Sequence, residues 1–125
     1  MTITIDPDAL EQAVRDIAAE NPDFVYVAPG DDDTCVYVDE NGCPSCIIGQ
    51  AAARIGVPIA TLQSWDSGES GAPSINIGSI LRDAYGMDDH RAFWFATVQW
   101  RQDKGGRWGM AVSIADAETG RTGAK

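Results

Sequence analysis

DDHRAFWFATVQWRQDKGGRWGMAVSIADA, residues 88–117, can be read in two ways, and the choice decides the fold. As helices, Phe93, Ala96, Thr97 and Trp100 share one face, and after a break at Gly105 and Gly106 so do Trp108, Ala111, Val112 and Ala115. As a hairpin, Trp108, Met110, Val112 and Ile114 alternate, with DKGG as the turn. Asp88 and Asp89 stand before the run as a helix cap would, and the acidic ADAE end suits no strand, so helices are the expectation.

Upstream, Asp6 can cap a helix with Pro7 in its first turn, and Leu10, Ala13, Val14, Ile17 and Ala18 recur at helical spacing. Pro22 ends that run by pushing Asn21 out of the helical region. FVYVA (24–28) and CVYV (35–38) are rich in β-branched and aromatic residues, and PGDDDT between them reads as a turn. These predict a short antiparallel hairpin, which must pack on helices to persist in water.

CIIGQAAARIGVP reads as a helix with an explicit stop, Gly56 taking the left-handed position, Val57 the closing apolar contact and Pro58 forbidding continuation. PIATLQSWD predicts a further short helix, SGESGAPS a loop, and INIGSILRDAYG (75–86) another helix, with Ile77, Ile80, Leu81 and Ala84 on one side. At 125 residues and 13.4 kDa the chain has the size of one domain. The expected architecture is thus a single, mostly helical α+β domain over 1–125 with one short antiparallel β-hairpin, its ordered core about residues 6–117 and a flexible tail at 118–125.

No apolar run approaches the roughly 18 residues of a membrane span. MTITIDPDAL lacks the basic and long apolar regions of a secretory signal, and three cysteines do not make a disulfide scaffold, so a reducing cytoplasm is expected. The formal net charge is −10, and its distribution is lopsided. Residues 1–45 hold eleven acids against Arg15 alone, whereas the rest of the chain balances. An acidic face follows, carried by Asp31, Asp32, Asp33, Asp39 and Glu40. Such a face steers toward a basic protein surface or imitates nucleic acid.

The C-terminal aromatics are interleaved with Arg91, Arg101, Lys104 and Arg107, a pattern that can serve single-stranded nucleic acid. An isoelectric point near 4.2 argues against direct contact with phosphate, leaving these aromatics to the core or, where exposed, to a protein interface. Trp94, Trp100 and Trp108 are therefore the candidate partner anchors.

Cys35, Cys43, Cys46 and His90 comprise every cysteine and the one histidine. They form a candidate zinc set, although only Cys43 and Cys46 have knuckle spacing. The same pair with Pro44 reads as a thiol redox site, where a helix N-terminus would lower a thiol pKa. Against it, a thioredoxin-like fold needs several strands after the motif. The acidic run around residue 33 lacks EF-hand spacing. No activated nucleophile, phosphate loop or nucleotide fingerprint is present, so no catalytic residue is singled out.

CVYVDENGCPSCIIGQAAARIGVP together with VQWRQDKGGRWGMAVSIADA resembles small proteins of actinobacteria and their bacteriophages. The shared pattern is Tyr37, Ser45, Cys46, Gly49, Ala51, Gly56, Val57 and Pro58, then Gln99, Gln102, Asp103, Gly105, Trp108, Gly109, Ala111 and Val112. Cys43 lies outside it. The resemblance implies an actinobacterial or phage origin and a helical C-terminal segment; it implies no activity, cofactor or partner. The function expected is a small acidic cytoplasmic binding protein that engages a partner protein. A nucleic-acid mimic that inhibits a DNA-binding protein is the first alternative, and a thiol redox or zinc site the second.

Overall fold

Asp6 opens the first helix as its sequence predicts, its carboxylate accepting a hydrogen bond from the Asp8 amide at 3.0 Å. The computed structural model describes residues 5–26, 37, 42–67 and 77–120. Six helices follow along these residues: α1 Pro7–Glu20, α2 Ile47–Arg54, α3 Ile59–Ser67, α4 Ile77–Tyr85, α5 Asp89–Asp103 and α6 Trp108–Thr119. The helical reading of residues 88–117 is the observed one, with Asp88 capping α5. α5 packs against both α4 and α6, α1 against α2 and α6, and α3 against α2.

α1 contributes the face its spacing implies. Leu10, Val14 and Ile17 of α1 are buried, each worth about 1.5–3 kcal/mol relative to exposure. α2 stops as expected: Gly56 has φ 100°, Val57 donates to the Ala52 carbonyl at 2.9 Å, and the Val57 side chain is buried. Among the described residues no helix is long and apolar enough to cross a membrane.

The predicted α+β class is overturned, because the described residues contain six helices and no strand. Most of the predicted hairpin, residues 27–36 and 38, lies outside the described residues, but Phe24, Val25 and Tyr37 show where some of its backbone groups go. The Phe24 carbonyl accepts from the Trp108 amide at 3.0 Å and the Pro22 carbonyl from the Gly109 amide at 2.9 Å, while Val25 forms an isolated bridge with Arg107. Arg107 gives α6 no side-chain cap, so these carbonyls satisfy its first-turn donors. Tyr37 behaves alike, its carbonyl accepting from the Ser45 amide at 2.9 Å just before α2. The first segment thus serves the α6 N-terminus, and Tyr37 holds the backbone just ahead of α2. α6 extends through Thr119, so the first two residues of the expected tail are helical, and 121–125 lie outside the described residues.

Two glutamines do the equivalent work from α5. Gln102 Oε1 accepts from the Ile47 amide at 2.8 Å and from Trp108 Nε1 at 3.1 Å. Gln99 Oε1 accepts from the Ile77 amide at 3.0 Å, and its Nε2 donates to the Tyr37 hydroxyl at 2.7 Å. The N-termini of α2 and α4 are thereby tied to one buried side of α5, each bond satisfying a donor that burial would otherwise leave costly.

A charged joint holds α1 to α5 and α6. Arg15 bonds Glu11 at 2.7 Å and Asp116 at 3.0 and 2.8 Å, and its guanidinium lies 4.8 Å from the Trp94 ring centroid. Trp94 Nε1 donates to the same Asp116 carboxylate at 2.9 Å. Burial works against the Arg15 charge, yet the hydrogen bonds to Asp116 and Glu11 outweigh it and hold its pKa above the usual arginine range.

The α5 cap carries a pH signature. The hydrogen bond from the Arg91 amide, 2.8 Å, holds the Asp88 carboxyl below its ordinary value of 3.8. Since the folded-state pKa lies under the unfolded one, the stabilisation is complete above the unfolded value and is lost as pH falls through the folded one. Asp88→Asn keeps an acceptor at the cap but cannot titrate, so its thermal midpoint should lose less than the wild type's below pH 3.8. Parallel acid profiles for the two proteins would refute this role.

Candidate binding groove

α5 is apolar on two sides, and the structure buries only one. Trp94, Phe95, Val98 and Gln102 face the core. Of the other side's stripe, Phe93 and Trp100 face outward, 51% and 52% exposed, with Ala96 part-buried between them and Thr97 buried beneath. Thr97, buried, turns its hydroxyl back to the Phe93 carbonyl at 2.9 Å. Beside this stripe runs a groove of about 390 Å³ lined by Phe93, Ala96, Thr97, Gln99, Trp100, Asp103 and Glu118.

The groove has a fixed floor and a charged end. Gln99, buried, is held by its bonds to Ile77 and Tyr37. The guanidinium of Arg101 lies 4.8 Å and Lys104 Nζ 5.7 Å from the Trp100 ring centroid, and Arg101 Nη2 reaches Glu118 at 3.1 Å. Cations over an indole face orient the ring at the cost of little freedom, since Trp has only two side-chain torsions. What this arrangement offers chemically is binding: two large aromatic surfaces, a hydrogen-bonding amide and carboxylates.

Of the three tryptophans expected as anchors, Trp100 alone is exposed. Trp94 and Trp108 are buried, Trp94 in the Arg15–Asp116 joint and Trp108 against Phe24 at 4.5 Å between ring centroids. Phe93, not singled out from sequence, takes their place. Its seven-residue spacing from Trp100 was a visible signal, but the opposite face of α5 is equally apolar, and only the positions of α4 and α6 decide between them. Asp31, Asp32, Asp33, Asp39 and Glu40 lie outside the described residues.

The cysteines are placed apart in role. Cys46 is buried and is itself the cap of α2, its Sγ accepting from the Gly49 amide at 3.4 Å. Cys43 is exposed. His90 Nε2 donates to the Thr119 carbonyl at 2.6 Å, fastening the start of α5 to the end of α6. Cys35 lies outside the described residues, and among the described residues no group of three or more histidine, cysteine or carboxylate side chains could hold a metal ion. Compared with family models, with curated proteins and with solved structures, the chain finds no match.

Proposed function

We propose that the chain is a small acidic binding protein that engages a partner protein through the outer stripe of α5. The observation that carries this reading is the pair Phe93 and Trp100, half exposed on one helix face beside a preformed groove. Large aromatics left at a surface cost hydration free energy, and their concentration on one face is the usual composition of an interface centre. A net charge of −10 disfavours nucleic acid and anionic lipid as occupants, and favours a protein with compensating basic groups.

Truncating an aromatic anchor typically removes about 2 kcal/mol or more of binding free energy. Trp100→Ala should therefore weaken the complex about 30-fold or more while leaving the fold intact, since Trp100 contributes little to the core. The test is paired capture from an actinobacterial lysate with wild-type and Trp100→Ala baits, followed by titration of the purified candidate against both. A partner bound equally by the two proteins would sink the reading.

A further inference from the structure

We infer that the outer stripe of α5 closes on a second copy of the chain, the two α5 helices packing antiparallel about a twofold axis between Ala96 and Thr97. The inference deepens the proposed binding function by naming what covers the stripe when no other partner does, and it rests on that reading of the stripe as an interface. The register lies in the spacing. Asp89, Phe93, Ala96, Trp100 and Lys104 recur at intervals of three and four residues along one side of α5 and its C-cap. Turned end for end, this series meets itself: Asp89 falls opposite Lys104 of the second copy, Phe93 opposite Trp100, and Ala96 opposite Thr97 at the centre.

Charge complementarity selects this occupant and this direction. The Asp89 side chain is 84% exposed and reaches Arg82 at 3.8 Å, a loose pair. Lys104 is exposed and lies over the Trp100 ring, with no carboxylate paired to it among the described residues. A parallel pair of helices would set Asp89 against Asp89 and Lys104 against Lys104. The antiparallel pair sets an acid against a base at both ends and opposes the two helix dipoles. Arg101 is already answered by Glu118 within the chain, so the groove calls for no foreign counter-charge. Asp88, Asp89 and Asp103 balance Arg91, Arg101 and Lys104, so the excess of −10 is not carried by the helix that meets its copy. Ala96 is the small residue at the crossing, and the groove of about 390 Å³ beside it has room for a ring of the second copy. Four half-exposed rings bury roughly 400 Å², well short of the roughly 1,200 Å² of a stable interface, so the dimer is weak and reversible.

The test is analytical ultracentrifugation of the purified full chain from micromolar to millimolar concentration, with circular dichroism to separate lost association from lost fold. Wild type is expected to pass from monomer to dimer with no larger species, because a twofold contact closes on itself. Trp100→Ala should stay monomeric. Lys104→Glu places two acids opposite each other at both ends and should weaken the dimer about tenfold or more. Asp89→Lys/Lys104→Glu restores opposite charges in reversed order and should recover most of that loss, a rescue that only the antiparallel register provides. A chain monomeric throughout would overturn the inference. So would a dimer indifferent to Trp100→Ala and Lys104→Glu, a Lys104→Glu loss that the charge swap fails to restore, or a growing series of oligomers. In each of those cases a lysate partner that requires Trp100 would leave the binding function standing. A dimer rescued by the swap, with lysate partners binding Trp100→Ala as well as wild type, would keep this inference and remove the separate partner.

Discussion

Replacing Gln102 with alanine is expected to lower the unfolding free energy by about 3–5 kcal/mol, a large share of the roughly 5–15 kcal/mol that holds a domain together. Gln102 is fully buried, and one oxygen accepts from both the Ile47 amide and the Trp108 indole. Alanine leaves two buried donors without an acceptor, each costing about 1–3 kcal/mol, and adds a cavity. Gln102→Met separates these contributions, since it fills the volume but accepts nothing; it should recover only the cavity part. In that background Trp108→Phe should cost less than in the wild type, because the indole donor it removes is already unsatisfied. Urea unfolding followed by circular dichroism reads the wild type and all four variants. A Gln102→Ala loss under about 1 kcal/mol would mean that water or backbone rearrangement satisfies Ile47 and Trp108, and the capping role would fall.

This glutamine also marks where reading the sequence runs out. Helices α1, α2 and α5 were legible because each carries its own punctuation: Asp6 and Pro7, then Gly56, Val57 and Pro58, then Asp88. Such signals act within a few residues and need no knowledge of the fold. Gln99 and Gln102 act on Ile77 and Ile47, 22 and 55 residues away, and nothing in a glutamine's chemistry names its distant partner. Read locally they are polar surface residues; in the structure they fix two helix starts against α5.

The expected hairpin failed for a related reason. Strand propensity measures how well β-branched and aromatic side chains pack on a half-buried surface, and Phe24 and Val25 satisfy that by lying against the start of α6. The groove was half legible: of the face grouped as Phe93, Ala96, Thr97 and Trp100, the two aromatics are exposed and Thr97 is buried, because which side of α5 meets solvent depends on elements outside it.

Gly49→Ala should destabilise the protein by about 2–4 kcal/mol, against the stabilisation of about 1 kcal/mol that the same change gives in an open helix. Gly49 lies inside α2 where Tyr37 crosses, and a Cβ there would fall on the Tyr37 carbonyl, with its carbon and Cα close behind. These are backbone atoms, and three attachments prevent them from yielding cheaply. The Tyr37 carbonyl accepts from Ser45, its hydroxyl accepts from Gln99, and its ring meets Trp65 edge-on at 5.5 Å between centroids. Overpacking therefore costs about 1–3 kcal/mol, and shifting Tyr37 forfeits about 1 kcal/mol for each hydrogen bond broken. Gly109→Ala is the matched control. A Cβ at that position would meet Pro22 Cβ and its carbonyl oxygen at 3.1 Å, a crowding that a displacement of a few tenths of an ångström relieves. Its helix-propensity gain should nearly offset that cost, leaving a net change within roughly 1 kcal/mol. If thermal melts instead place Gly49→Ala at or above the wild type, Tyr37 does not cross α2 at this closeness, and the anchoring of Gln99 at the groove floor through Tyr37 fails with it.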